Sequence, residues 1–153
     1  MGKLLTEVNS AYLAGFIDGD GAIMATIEKH SEKLLGYRIR VVLKISQMLE
    51  KHVAWLVDMT GSGSVRKCGS TFEWVVWNQR DVLFLLTQIS SFLHTKRRQA
   101  LLAIKILNIK IMIKESLFEA ARLADALASL NVRSRNRRKN FSSMIQVNDS
   151  RND

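Results

Sequence analysis

Hydrophobic and polar residues alternate most strictly between Tyr37 and Ser46. Tyr37, Ile39, Val41, Leu43 and Ile45 fill the odd positions, and Arg38, Arg40, Val42, Lys44 and Ser46 the even ones. A period of two is that of a half-buried strand, so this segment predicts a strand with a core face and a cationic face. Ala22–Glu28 predicts a second strand, with Ile23, Ala25 and Ile27 on one side and Ala22, Met24, Thr26 and Glu28 on the other. The polar stretch Lys29–Gly36 joins the two as a loop. Gly63–Cys68 and Phe72–Trp77 predict a hairpin around Gly69-Ser70. Arg66 and Cys68 share one face of its first arm, and Glu73, Val75 and Trp77 alternate with Phe72, Trp74 and Val76 on its second.

Helical patterns fill the rest. Glu7–Asp18 predicts a helix with Thr6 as N-cap, ended by Gly19-Asp20-Gly21. Ala11 and Gly15 lie four apart on it, a small-residue stripe suited to close packing on another helix. Leu49–Met59 predicts a helix closed by Gly61. Arg80–Ser90 and Lys96 to about Lys114 predict two more, and Ser116-Leu117-Phe118-Glu119 has the capping-box pattern of a last helix reaching Leu130. Asn131–Asp153 loses periodicity and is expected to be loose. The reading is one domain over residues 1–131 and a basic, flexible tail over 132–153. The order αββαββα with additional C-terminal helices makes the fold class α+β. One four-stranded antiparallel sheet is expected, with helices on its apolar face and Arg38, Arg40, Lys44 and Arg66 on its open face.

Composition narrows the function classes. The 153 residues are 47% hydrophobic, enough to bury a core. No apolar run reaches the roughly 18 to 20 residues of a membrane span, so no membrane partner is expected. The stretch Leu101–Ile113 is interrupted by Lys105, Asn108 and Lys110. A lone cysteine, Cys68, excludes an internal disulfide and a Cys-based zinc site, and His30, His52 and His94 have no paired metal-ligand spacing. Met1–Asn9 shows neither a signal peptide nor a transit pattern, so the expected location is an organelle that encodes the chain or a prokaryotic cytoplasm. The net charge is +9, and six basic and two acidic residues lie after Val132, which leaves +5 for residues 1–132. A basic body as well as a basic tail points to a polyanion, nucleic acid before a membrane surface.

Asp18 and Asp20 bracket Gly19 at the C-terminal end of the first helix. That end carries partial negative charge, so each acid there is unfavourable by about 0.3–1 kcal/mol. A hard divalent cation would reverse the sign, and a simple acidic turn is the alternative.

Leu13-Ala14-Gly15-Phe16-Ile17-Asp18-Gly19-Asp20-Gly21 resembles the signature of the LAGLIDADG homing endonucleases. Ile45-Ser46-Gln47, Gly61–Arg66 and Phe92–Ala100 are similar to stretches of the single-motif, intron-encoded branch, and the likeness covers about Ala11 to Asn131. It implies a saddle-shaped sheet, a homodimer and a site-specific double-stranded DNA endonuclease dependent on Mg²⁺, with Mn²⁺ or Ca²⁺ able to replace it for binding. By the same likeness Asp20 holds the metal with the Gly19 carbonyl, and Gln47 positions water. Lys51 and Lys96 stabilise charge on the phosphates. Ala11, Ala14, Gly15 and Asp18 fall at the subunit interface. The expected DNA-contacting set is Met24, Thr26, Glu28, Arg38, Arg40, Lys44, Arg66, Cys68, Glu73 and Val75 on the sheet, with His30, Ser31 and Lys33 in the loop. Cys68 stands where the family often has a long polar side chain, and Glu73 has a pairing with Arg66 as its alternative. Trp55, Trp74 and Trp77 read as core or sheet-edge aromatics. A two-stranded ribbon fits the major groove. Ten strand residues span about 33 Å, about ten base pairs, so a dimer would read about twenty. Relatives on this scaffold that splice RNA or bind DNA without cutting make intron RNA a possible partner.

Overall fold

The first helix runs directly into the first strand with no loop between them. In the computed structural model, which describes residues 2–131, 141–143 and 145, α1 spans Glu7–Asp20 and β1 spans Gly21–Lys29. Thr6 caps α1 by accepting from the Asn9 N–H. Gly21 closes it, donating its N–H to the Ile17 carbonyl. A Cβ at residue 21 would sit 2.7 Å from Ile17 Cα and 2.9 Å from its carbonyl oxygen. Only glycine therefore lets the chain turn from helix to strand here, and that turn places Asp20 at the lip of the sheet. Gly21→Ala is expected to cost about 1–3 kcal/mol through this overlap with backbone, read as a lower midpoint in urea unfolding.

The sheet continues with β2 (Tyr37–Gln47), β3 (Ser64–Cys68) and β4 (Thr71–Val76). Its order is β1-β2-β4-β3, and every pairing is antiparallel. Register fixes the faces. Ile23 opposes Leu43, Ala25 opposes Val41, Ile45 opposes Trp74 and Leu43 opposes Val76, and all of these side chains are buried in one core. Four helices cover that face besides α1: α2 (Lys51–Thr60), α3 (Gln79–Ile89), α4 (Arg97–Asn108) and α5 (Lys114–Leu130). The α+β architecture and the αββαββα order with further helices are as the periodicity predicted.

Two expectations are corrected in the C-terminal half. The helix expected to run from Lys96 to about Lys114 stops at Asn108. The backbone turns extended at Ile109, which closes α4 by donating its N–H to the Ile106 carbonyl, and Ser116 Oγ then accepts from the N–H groups of Met112 and Ile113 and donates to the Ile113 carbonyl ahead of α5. Ser116 is thus not the first cap of the last helix but a residue in its first turn that reaches back. The expected loose tail lies mostly outside the described residues. Of its described members, Phe141 and Ile145 are buried in the core. Asp125 on α5 holds this segment, accepting from Phe141 N–H at 2.7 Å and from Ser142 Oγ at 2.8 Å.

Candidate active site and nucleic-acid interface

Two carboxylates two residues apart meet opposite fates. Asp18 Oδ2 accepts from His94 N–H at 2.8 Å and Asp18 Oδ1 from Lys96 N–H at 2.9 Å, while Lys96 Nζ donates to the Asp18 carbonyl at 2.7 Å. Burial pushes the Asp18 carboxyl up, but the backbone N–H groups of His94, Lys96 and Thr95 and the Lys96 charge outweigh it, and its pKa is lowered. Lys96 is only 8% exposed. Its ammonium sits on the last turn of α1, where a cation offsets the helix dipole. Asp18 is therefore engaged within its own chain, and it stays half-buried at the end of α1. Asp20 is exposed. Gln47 Nε2 at the end of β2 donates to its Oδ2 at 2.8 Å. The fold thus brings Asp20 and Gln47 together across 27 residues of sequence. Lys51 is exposed at the start of α2 and makes no hydrogen bond or ion pair among the described residues.

A hard cation suits the donors present. The Asp20 carboxylate and the Gly19 carbonyl are both oxygens. A Cβ at Gly19 would meet nothing within 4 Å, so the approach is open. Among the described residues no three His, Cys, Asp or Glu groups converge to hold a metal by themselves. Mg²⁺ fits such a sparse set, because it usually keeps waters and completes its shell with substrate phosphate oxygens.

The outer face of the sheet carries the cations. Register places Lys44 beside Val75, Arg66 beside Glu73, Arg40 beside Thr26 and Arg38 beside Glu28. Met24 and Cys68 share this face, with Cys68 exposed. His30, Ser31 and Lys33 lie in the loop between β1 and β2, with Ser31 and Lys33 exposed and His30 half-buried. Arg38 pairs with Glu28 at 2.6 Å, a contact that holds the Glu28 carboxyl below its usual range.

Glu73 and Val75 correct the expected set of DNA contacts. Glu73 is 4% exposed and gathers Lys44 Nζ at 2.9 Å, Ser46 Oγ at 3.2 Å and Arg66 Nη2 at 2.9 Å. With its acceptor oxygens taken up by neighbours, it orients two cations and has no free lone pairs to present to a base. Val75 is fully buried and presents no surface. Ala14 is likewise buried in the core of its own chain, so it is not an interface residue. Ala11 and Gly15 are exposed as expected. Burial raises the Glu73 carboxyl, but hydrogen bonds from Lys44 and Arg66, the Lys44 charge and the Ser46 hydroxyl lower it further, for a net downward shift. A lowered folded pKa gives stability that is full above the unfolded value of about 4.5 and is lost as pH falls through the folded one. Thermal unfolding followed from about pH 6 to pH 3 should show this loss, and Glu73→Gln should flatten that part of the profile.

Two features escaped the sequence reading. Tyr12 and Phe16 of α1 and Trp55 of α2 form an aromatic cluster, with Phe16 and Trp55 stacked at 6.4 Å and Tyr12 edge-on to Trp55 at 5.5 Å. Tyr12 is 59% exposed. Val8, Tyr12 and Phe16, spaced by four, were the available signal. The second is Trp77, which stands on the cationic face between Arg40 and Arg66.

Comparison with known proteins agrees with this geometry. The family model for LAGLIDADG endonuclease matches residues 13–108. DNA endonuclease I-CreI of Chlamydomonas reinhardtii is 33% identical over 127 residues, covering 78% of this chain and 77% of that protein. DNA endonuclease I-CvuI of Chlorella vulgaris is 34% identical over 129 residues, covering 81% and 80%. The crystal structure of I-CvuI on the I-CreI target with 2 mM Mg, in which the DNA is not cleaved, superposes with a TM-score of 0.83 at 29% identity over 92% of both chains. I-CvuI on its own target with 2 mM Ca gives a TM-score of 0.80 at 31% identity, again over 92% of both chains. With its signature helix, exposed terminal acid and four-stranded sheet all in place, the chain belongs to the LAGLIDADG endonuclease family.

Proposed function

We propose that this protein is a site-specific double-stranded DNA homing endonuclease that acts as a homodimer and hydrolyses one phosphodiester on each strand with the help of Mg²⁺. The observation that carries the reading is the division of labour at the end of α1. Asp18 is consumed by the fold, whereas Asp20 stays exposed beside Gln47. An acid kept at the negative end of a helix with no ion pair among the described residues is costly to the free protein and is offset by a bound cation.

Asp20 and the Gly19 carbonyl would hold the ion. A bound Mg²⁺ lowers the pKa of water and offsets charge on the attacking and leaving oxygens. Gln47, fixed on Asp20, orients water at the scissile phosphate. Lys51 and the Lys96 ammonium add positive charge where the transition state gains negative charge. Relatives crystallised on DNA with magnesium or calcium support divalent-metal use.

A single chain has one Asp20, and cutting both strands needs two. The outer face of α1 supports a second copy as its partner: Val8, Ala11, Tyr12 and Gly15 are exposed on it, next to the aromatic cluster with Trp55. The sheet then supplies recognition. The eleven residues of β2 span about 36 Å, about ten base pairs per subunit. Arg38, Arg40, Lys44 and Arg66 stand where a strand in the major groove would meet guanine edges or phosphates, with Met24, Thr26, Glu28 and Cys68 between them and His30, Ser31 and Lys33 reaching outward.

The test is cleavage of a randomised duplex library by purified protein, followed by sedimentation of the complex on a selected site. Cutting in Mg²⁺ and none in EDTA, with two chains per duplex, is expected. One chain per duplex would overturn the homodimer. Binding to intron RNA with no nicking of any duplex would overturn the nuclease.

A further inference from the structure

Trp77 follows directly after β4 and is 41% exposed. Its ring lies 5.4 Å from the Arg40 guanidinium carbon and 5.3 Å from that of Arg66. Those arginines come from β2 and β3, which are not neighbours, because β4 runs between them. One indole, at the end of that middle strand, therefore meets a cation from the strand on either side. Both distances are within the range of a cation–π contact. Trp77 is itself held in place. Gln79 Nε2 donates to the Trp77 carbonyl and to the Val41 carbonyl, each at 2.8 Å, and Gln79 Oε1 accepts from Val41 N–H at 2.8 Å. This clamp ties the residue to β2, one position beyond Arg40.

The two arginines differ in their other supports. Arg66 makes a two-nitrogen contact with Glu73, at 3.1 Å from Nε and 2.9 Å from Nη2. Arg40 makes no ion pair among the described residues. Apart from the pull of the Glu28 carboxylate on its charge, the indole is the contact that the described residues give the Arg40 guanidinium, and it is a second one for Arg66. A long side chain left free must be ordered when it binds, and that cost is removed when it is ordered beforehand.

We propose that Trp77 is a positioning residue for DNA specificity: it holds Arg40 and Arg66 in their reading conformations before DNA arrives. The role rests on the endonuclease reading above and deepens it. Trp77 acts through the two arginines and is not a platform on which a base stacks.

The test combines a measurement on the free protein with one on the complex. In the free protein, side-chain NMR resonances of Arg40 and Arg66 should carry ring-current shifts that vanish in Trp77→Leu. Unshifted wild-type resonances would overturn the proposal whether or not the protein cuts DNA. In the complex, Trp77→Leu should weaken binding to the selected site about tenfold and change binding to random duplex less than twofold. It should also relax base preference at the positions that Arg40→Ala and Arg66→Ala relax. In the Arg40→Ala/Arg66→Ala double variant, Trp77→Leu should then have almost no further effect on affinity. An undiminished tenfold loss in that background would mean that the indole touches DNA itself and would overturn the positioning role. A loss that tracks a lowered unfolding temperature, with base preference unchanged, would overturn it as well. Failure of the endonuclease reading has a separate signature, namely normal ring-current shifts in a wild type that selects no duplex.

Discussion

Asp20→Asn should reduce cleavage at least a thousandfold, about 4 kcal/mol in transition-state stabilisation, while binding to the target site is kept or slightly tightened. The substitution changes charge with almost no change in shape. The asparagine carbonyl still accepts from Gln47, so the 2.8 Å contact at the end of β2 has a counterpart in the variant. What disappears is the anionic donor needed by a hard cation. Removing a negative charge close to phosphates favours association with DNA. Removing it from a helix C-terminus also favours folding, by about 0.3–1 kcal/mol. The variant should therefore unfold at the same or a slightly higher temperature than the wild type. Loss of activity together with unimpaired stability and binding separates a chemical role from a structural one. Cutting by Asp20→Asn in Mg²⁺ would remove the metal assignment altogether.

Asp18→Ala should do the opposite, destabilising the protein by about 2–4 kcal/mol. Its carboxylate accepts two backbone N–H groups, from His94 and Lys96; hydrogen bonds to charged groups contribute about 1.5–3 kcal/mol each, and solvent screening lowers the sum for this half-buried group. For a chain of this size a change of that order lowers the unfolding temperature by about 4–16 °C. The loop from Leu93 to Lys96 loses its tether to α1, and the Lys96 ammonium loses its fixed seat on the same turn. Cleavage should fall with it, while affinity for the site, which rests on the sheet, changes little. Asp18→Asn keeps one acceptor and should lie between. An Asp18→Ala protein that melts with the wild type would show that the loop is held by something else.

Local pattern was enough for the sheet. Strict alternation in Tyr37–Ser46 and in the 63–77 hairpin assigned each side chain to a face, and the pairing register agrees at Lys44–Val75 and Arg66–Glu73. A period of two survives because one face must be apolar, and a shift by one residue would exchange the faces. Exposure within a face was not legible. Val75 alternates with the cationic row yet is fully buried, while Trp77 stands over Arg40 and Arg66 on that same face. Periodicity reports direction from the backbone. It does not report what a large neighbour covers.

The chain by itself therefore determined the elements, the two faces of the sheet, the glycine-bounded acidic turn and the family to which these belong, since all are set by residues near one another in sequence. Tertiary structure alone decided which acid is free. Asp18 and Asp20 are near-equivalents until loop residues 76 and 78 positions away claim the first and β2, 27 positions away, brings Gln47 to the second. It also decided that Glu73 is an anchor for Lys44 and Arg66 and that the helix after Lys96 stops at Asn108 rather than near Lys114. Hydrogen-bond partners distant in sequence are chosen by packing, and burial makes each choice binding because an unpaired polar group there is expensive.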